Sequence, residues 1–273
     1  MVAKVTQTKA NGQNLFEISN STGVLFYAKT PWMNLNLTFN LENIQQLTMM
    51  TKSGEVAYTT SYSVVENVVE GAIPLKFLWS DGQRFLRYSI VNNDEIRGSF
   101  YARQDGFWDS KFVIENNGRQ VIGYDIGVGK IRALSLYENG VQICQITKPL
   151  STINNLDIYY IHLLDEDIDL LPVLSFFVIY YDYLKYNRAG EFVYEKIEIN
   201  REYTYDANNK YYNPDWIEQH FGKAESDRFK EEINQYDEAA KKRARRIVKI
   251  VFLGFGIALV VAGIFLLVLF LLL

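Results

Sequence analysis

The stretch LLPVLSFFVIYYDYL, residues 170–184, decides the fold. It follows the acidic run DEDID, 165–169, and is apolar on every side until Asp182. It is too short to cross a membrane, which takes about 20 apolar residues. It is also too uniformly apolar for a surface helix, which keeps a polar face. Phe176, Tyr180, Tyr183 and Leu184 share one helical face, and Val173, Phe177 and Tyr181 share another. A helix that is apolar all round must be surrounded. Asp165, Glu166, Asp167 and Asp169 are placed where carboxylates favour a helix N-terminus, and Pro172 is tolerated in a first turn. The pattern therefore predicts a central helix near 168–186 that encloses Leu174, Phe177, Tyr181 and Asp182. A buried strand pair competes with it, since Phe, Val, Ile and Tyr also favour strand.

The surrounding element must come from residues 13–163, which read as short strands with turns between them. SNSTG (19–23), SDG (80–82), NNG (116–118) and ENG (138–140) each separate two apolar runs. Asn-Gly and Asp-Gly in that setting are strong hairpin signals. Further runs lie at 33–39, 54–60, 95–102 and 156–163, which makes about a dozen strands. No βαβ alternation appears, which argues against a parallel sheet. A mainly β fold follows: a closed antiparallel barrel of about twelve strands around the central helix, which fills a lumen of that width. This domain is expected over 1–212, ending in a further hairpin after Gly190. Asn213-Pro214 then opens a helix that Gly222 closes. A charged helical linker follows to 249.

The C-terminal run, 250–273, carries no charge and is preceded by Lys241, Lys242, Arg243, Arg245, Arg246 and Lys249. Length and flanking charge predict a transmembrane helix, with Ile250 and Leu273 at its ends and the basic residues as a cytoplasmic collar. The expectation is a single-pass, tail-anchored membrane protein with its head in the cytoplasm. Gly254, Ala258 and Ala262 recur every four residues, a spacing that would let two anchors pair as a homodimer. The chain carries a net −4, and removing the collar's six positive charges leaves −10. Such a head is not drawn to nucleic acid by its field, whereas the collar is drawn to the lipid bilayer. The single Cys144 excludes an intramolecular disulfide and a Cys-rich zinc site. With no secretory signal at the N-terminus, the sequons at Asn20 and Asn36 read as chance matches.

The order of elements resembles the tubby-like superfamily, in particular the LURP-one-related branch that includes the phospholipid scramblases. The resemblance rests on IYYIHLLDEDIDLLPVLSFFVIYYD, 158–182: an alternating strand, an acidic break, an apolar helix and an Asp near its end. It covers roughly residues 10–190 and implies a twelve-stranded barrel around one hydrophobic helix. It also implies lipid handling and calcium binding near the acidic segment as properties to test. Two features depart from the family. About 80 residues follow the helix here, and the head is acidic where phosphoinositide-binding members carry basic pockets.

Asp165, Asp167 and Asp169 have the spacing that starts a calcium loop, but Leu170 and Phe176 stand where Gly and Glu are needed. Electrostatics at a helix start is the favoured account of them. Asp182 reads as a satisfied carboxylate at the barrel rim, with a catalytic acid as the alternative. GYDIGVGK, 123–130, fails as a phosphate loop because Ile131 replaces the hydroxyl residue. His162, His220 and Cys144 have no companions at metal-ligand or nucleophile–base spacing. Arg84, Arg87, Lys111, Arg119, Lys130 and Arg132 would form either an anion pocket or a solvated strand face. These readings give a membrane-tethered, non-catalytic binding or adaptor module that uses no cofactor and has a possible protein partner. Lipid-binding or scramblase-like activity is the first alternative. An enzyme is the second, and a clustered Cys144–His162 pair would favour it.

Overall fold

The computed structural model describes residues 1–10, 12–31, 46–71, 83–104, 110–128, 131–154, 156–186 and 206–272. Its strands are β1 (Val2–Lys9), β2 (Leu15–Asn20), β3 (Gly23–Lys29), β4 (Thr48–Thr51), β5 (Val56–Tyr62) and β6 (Gln83–Asn92). The second half comprises β7 (Glu95–Gln104), β8 (Ser110–Asn116), β9 (Arg119–Val128), β10 (Ile131–Glu138), β11 (Val141–Pro149) and β12 (Ile158–Leu163). Each strand pairs antiparallel with the next, and β1 closes the barrel on β12, with Val5 opposite Tyr159. The tight hairpins follow the sequence signals. Asn117-Gly118 and Asn139-Gly140 each take left-handed φ at both positions, 49° and 82°, as a two-residue turn between right-twisting strands requires.

Helix α2 (Leu171–Lys185) threads the barrel, preceded by a 3-10 turn at Asp165–Leu170. The expected central helix is thus present, with its acidic start wound more tightly than an α-helix. Leu171 and every residue from Val173 to Asp182 are buried. Phe100 packs its ring on Phe176, Phe177 and Tyr180, and Phe112 packs on Phe177, Tyr180 and Tyr181. Inward-facing residues of β1, β2, β6, β8, β10, β11 and β12 belong to the same core.

Beyond the barrel, α3 (Trp216–Phe221) ends at Gly222, whose φ of 84° suits a helix terminus. It is followed by α4 (Lys223–Leu272). Trp216, Ile217, Phe229 and Ile233 cover Tyr160 on the outer face of β12, so that strand is buried on both sides.

Several expectations are corrected. The fold class included a transmembrane helix, but among the described residues no helix is long and apolar enough to cross a membrane. The single-pass, tail-anchored reading and the localisation drawn from it are withdrawn. The apolar run forms no element of its own. It continues a 50-residue helix whose first half is charged. The barrel starts at Val2 rather than near residue 13, and β4 and the short α1 (Val64–Gly71) are additional elements. Asp206–Tyr211 is a 3-10 turn and not a hairpin turn. The strand expected at 33–39, the run before SDG and the start of the late hairpin lie outside the described residues.

Candidate functional site

The central-helix residues come together as expected. Leu174, Phe177 and Tyr181 are within the core. Asp182 is buried and accepts a 2.6 Å hydrogen bond from the Tyr159 hydroxyl, the partner a buried carboxylate requires. Burial, and then the Asp182 charge, push the Tyr159 phenol well above its ordinary range, so it stays protonated and donating.

Around the C-terminal end of α2 the charges are matched. Arg132 donates to both carboxylate oxygens of Asp125, at 2.5 and 2.8 Å, and Tyr181 donates to the same group at 3.1 Å. The buried Lys148 and Asp157 are 2.7 Å apart, and the Lys148 ammonium lies 4.2 Å from the Tyr186 ring centre. Bidentate Arg–carboxylate geometry and an aromatic face hold cations in a dry place. These pairings fasten α2 to β9, β10, β11 and β12.

The acidic run is also engaged. Asp165 pairs with the N-terminal ammonium at 2.6 Å. Arg119 bonds Glu138, reaches Asp167 at 2.6 Å and Asp169 at 3.1 Å. These bonds, Glu138 foremost, hold the guanidinium pKa above its usual value. A fixed guanidinium thus lies where the calcium reading would put a metal, and among the described residues no acidic or His/Cys group is arranged to hold one.

The six basic strand residues do not form one pocket. Arg119 and Arg132 are in the ion pairs above. Arg84 lies 5.2 Å from the Tyr101 ring centre. Arg84 and Arg87 border a small cleft with Asn67, Val69 and Glu70. Lys111 is opposite Arg103 on β8, and Lys130 lies outside the described residues. The enzyme reading also loses its constellation. Gln145 is opposite His162 across β11 and β12, so Cys144 has the opposite orientation. Cys144 faces the core, where burial pushes its thiol up. His162 faces outward against Phe221 and Phe229. The His220 ring lies 4.9 Å from that of Trp216, tilted by 41°.

The collar residues Lys241, Lys242, Arg243, Arg245, Arg246 and Lys249 all lie on α4. Five of them line a groove of about 780 Å3 whose other wall is Thr152, Ile153 and Asn154, from the β11–β12 connection. Sequence reasoning found the collar and missed the opposing wall, because a return of 90 residues along the chain has no local signal. Gly254 and Ala262 are exposed on the same helix, and Leu273 lies outside the described residues. Compared with protein-family models, curated proteins and solved structures, the chain matches none.

Proposed function

We propose that the chain is a non-catalytic binding or adaptor module of tubby-like, LURP-one-related architecture, and that it takes its ligand on the outside of the barrel. The filled lumen carries this reading. Barrels that hold a ligand inside keep that space open, whereas here α2 is buried along its length by side chains of the surrounding strands. The ionisable groups at the end of α2 are paired with one another, which favours a structural role over a chemical one. The tubby-like assignment is supported by twelve strands in sequential order, one enclosed helix after an acidic turn, and an Asp near its end.

The test is affinity capture of the full chain, with retained small molecules, lipids and proteins all identified. A polar ligand or protein whose retention is lost on changing outer-surface residues is the expected result. A stoichiometric apolar molecule that resists such changes, but is lost when Leu174→Phe crowds the lumen, would put the ligand inside and overturn the proposal.

A further inference from the structure

We infer that the groove between α4 and the β11–β12 connection binds a compact anion carrying several phosphate groups. This rests on the outer-surface reading above and names its ligand class. Lys242, Arg245, Arg246 and Lys249 occupy positions i, i+3, i+4 and i+7, one stripe of the helix, and Arg243 borders it. On a helix that faces other protein, such a stripe is ordinarily apolar. Here it is cationic and faces a wall formed by Thr152, Ile153 and Asn154.

The wall is a built turn. The Leu156 N–H donates to the Ile153 carbonyl at 3.1 Å, and Asn154 takes a φ of 57°. Like charges at i and i+4 repel on a helix. Lys241, which does not line the groove, pairs with Asp237 and Glu238, and Glu238 also feels the charge of Arg245. The groove-lining residues include five cations and no carboxylate, while the chain as a whole is −4. The groove is therefore a local positive well on an acidic molecule.

The charge and the size identify the ligand. From Lys242 to Lys249 the helix rises about 10.5 Å, the scale of two or three linked phosphates rather than a long polymer. Arg forks and Lys ammoniums suit terminal phosphate oxygens. A volume of about 780 Å3 is within the range of small-molecule sites.

The probe is sodium tripolyphosphate, titrated calorimetrically into the full chain at low and at physiological ionic strength. The wild type should bind, more weakly as salt rises. Lys242→Gln with Arg246→Gln should weaken binding roughly tenfold or more, because two charge-assisted contacts are lost. Lys9→Gln with Lys52→Gln removes the same charge from exposed positions elsewhere and should leave binding near the wild-type level. Vesicles separate the two sources of such a group. Retention on vesicles carrying multiply phosphorylated headgroups, reversed by tripolyphosphate, supports a lipid headgroup. Tripolyphosphate binding without vesicle retention supports a soluble ligand. Equal weakening by both double variants would reduce the effect to net charge and overturn the inference, as would tighter binding of duplex DNA at equal phosphate concentration. Either failure leaves the outer-surface reading standing, since other parts of the wall remain available.

Discussion

Phe177 and Gly98 show, one residue at a time, what the closed barrel demands. Phe177 is wholly buried and touches the rings of Phe100 and Phe112. Phe177→Asp would put an unpartnered carboxylate there and remove the aromatic packing, at a cost of several kcal/mol. A domain's whole stability is about 5–15 kcal/mol, so the variant is expected to unfold or to fail to accumulate. Ile96→Asp, at a position 71% exposed, is the control and should melt close to wild type. Similar melting of the two variants would show the helix to be exposed and would sink the enclosed-helix account. Gly98 poses the opposite demand. A Cβ there would lie 1.8 Å from the Glu115 carbonyl oxygen of the paired strand, so β7 and β8 must separate to admit one. Gly98→Ala should cost about 1–3 kcal/mol, in the manner of overpacking, measured as a lower denaturation midpoint. Phe177 was legible in the sequence, because it lies within an apolar run. Gly98 was not, because its requirement comes from a strand 17 residues away.

The same division holds for elements. Hairpins closed by Asn-Gly declared themselves, because two left-handed residues are a local chemical fact. Strand β1 did not. Of its three buried residues, Ala3, Val5 and Gln7, one is polar, and its amide is used to accept the Asp157 N–H at 3.0 Å. The packing of α3 and α4 on β12 was equally hidden, since it joins residues more than 50 apart. His162 is the titratable group within that joint. Its Nε2 is 3.2 Å from Glu225, with Arg228 bonded to the same carboxylate and Lys4 paired to Glu232 nearby. Burial lowers the His162 pKa below its ordinary 6.5, against the opposing pull of Glu225. The folded joint therefore binds fewer protons than the free chain. The stability from a neutral His162 is present above about pH 6.5 and falls as pH drops below it. Amide exchange in residues 216–236 should accelerate between pH 7.5 and pH 5.5 more than exchange in β8–β10. His162→Phe should flatten that difference. An unchanged pH response in the variant would take it away from His162 and leave Glu232, for which burial is outweighed by the bonds to Lys4 and Tyr160 that lower its pKa.

At the scale of the whole molecule, tyrosine ties the barrel into one unit. Tyr88 on β6, Tyr159 and Tyr160 on β12, and Tyr180 and Tyr181 on α2 are all buried. Their phenols are raised above the ordinary 10.0, burial being the largest cause in each case. Tyr180 donates to the Leu86 carbonyl at 2.8 Å, where β6 bulges and Leu86 takes a φ of 53°. With the Tyr159–Asp182 bond, the central helix is thus tethered by hydroxyls on two sides of the barrel. Below pH 10 these phenols are protonated whether the chain is folded or not, and their contribution is complete. Above it, an unfolded chain releases protons that the folded chain retains. The unfolded state then binds fewer protons, and stability falls as pH rises. Tyr88, Tyr159, Tyr180 and Tyr181 share one core across opposite strands and the enclosed helix, so none of these four can ionise without opening it, whereas Tyr160 needs only the release of α3 and α4. Titrating the full chain, which has 19 tyrosines, through pH 10 to 12.5 should therefore include a late step from the core phenols. In that step a further rise of tyrosinate absorbance coincides with loss of the far-ultraviolet strand signal, and it moves to lower pH in mild denaturant. Complete tyrosinate formation near pH 10, with the strand signal intact, would mean that water already reaches the helix, and that the lumen is open to ligands.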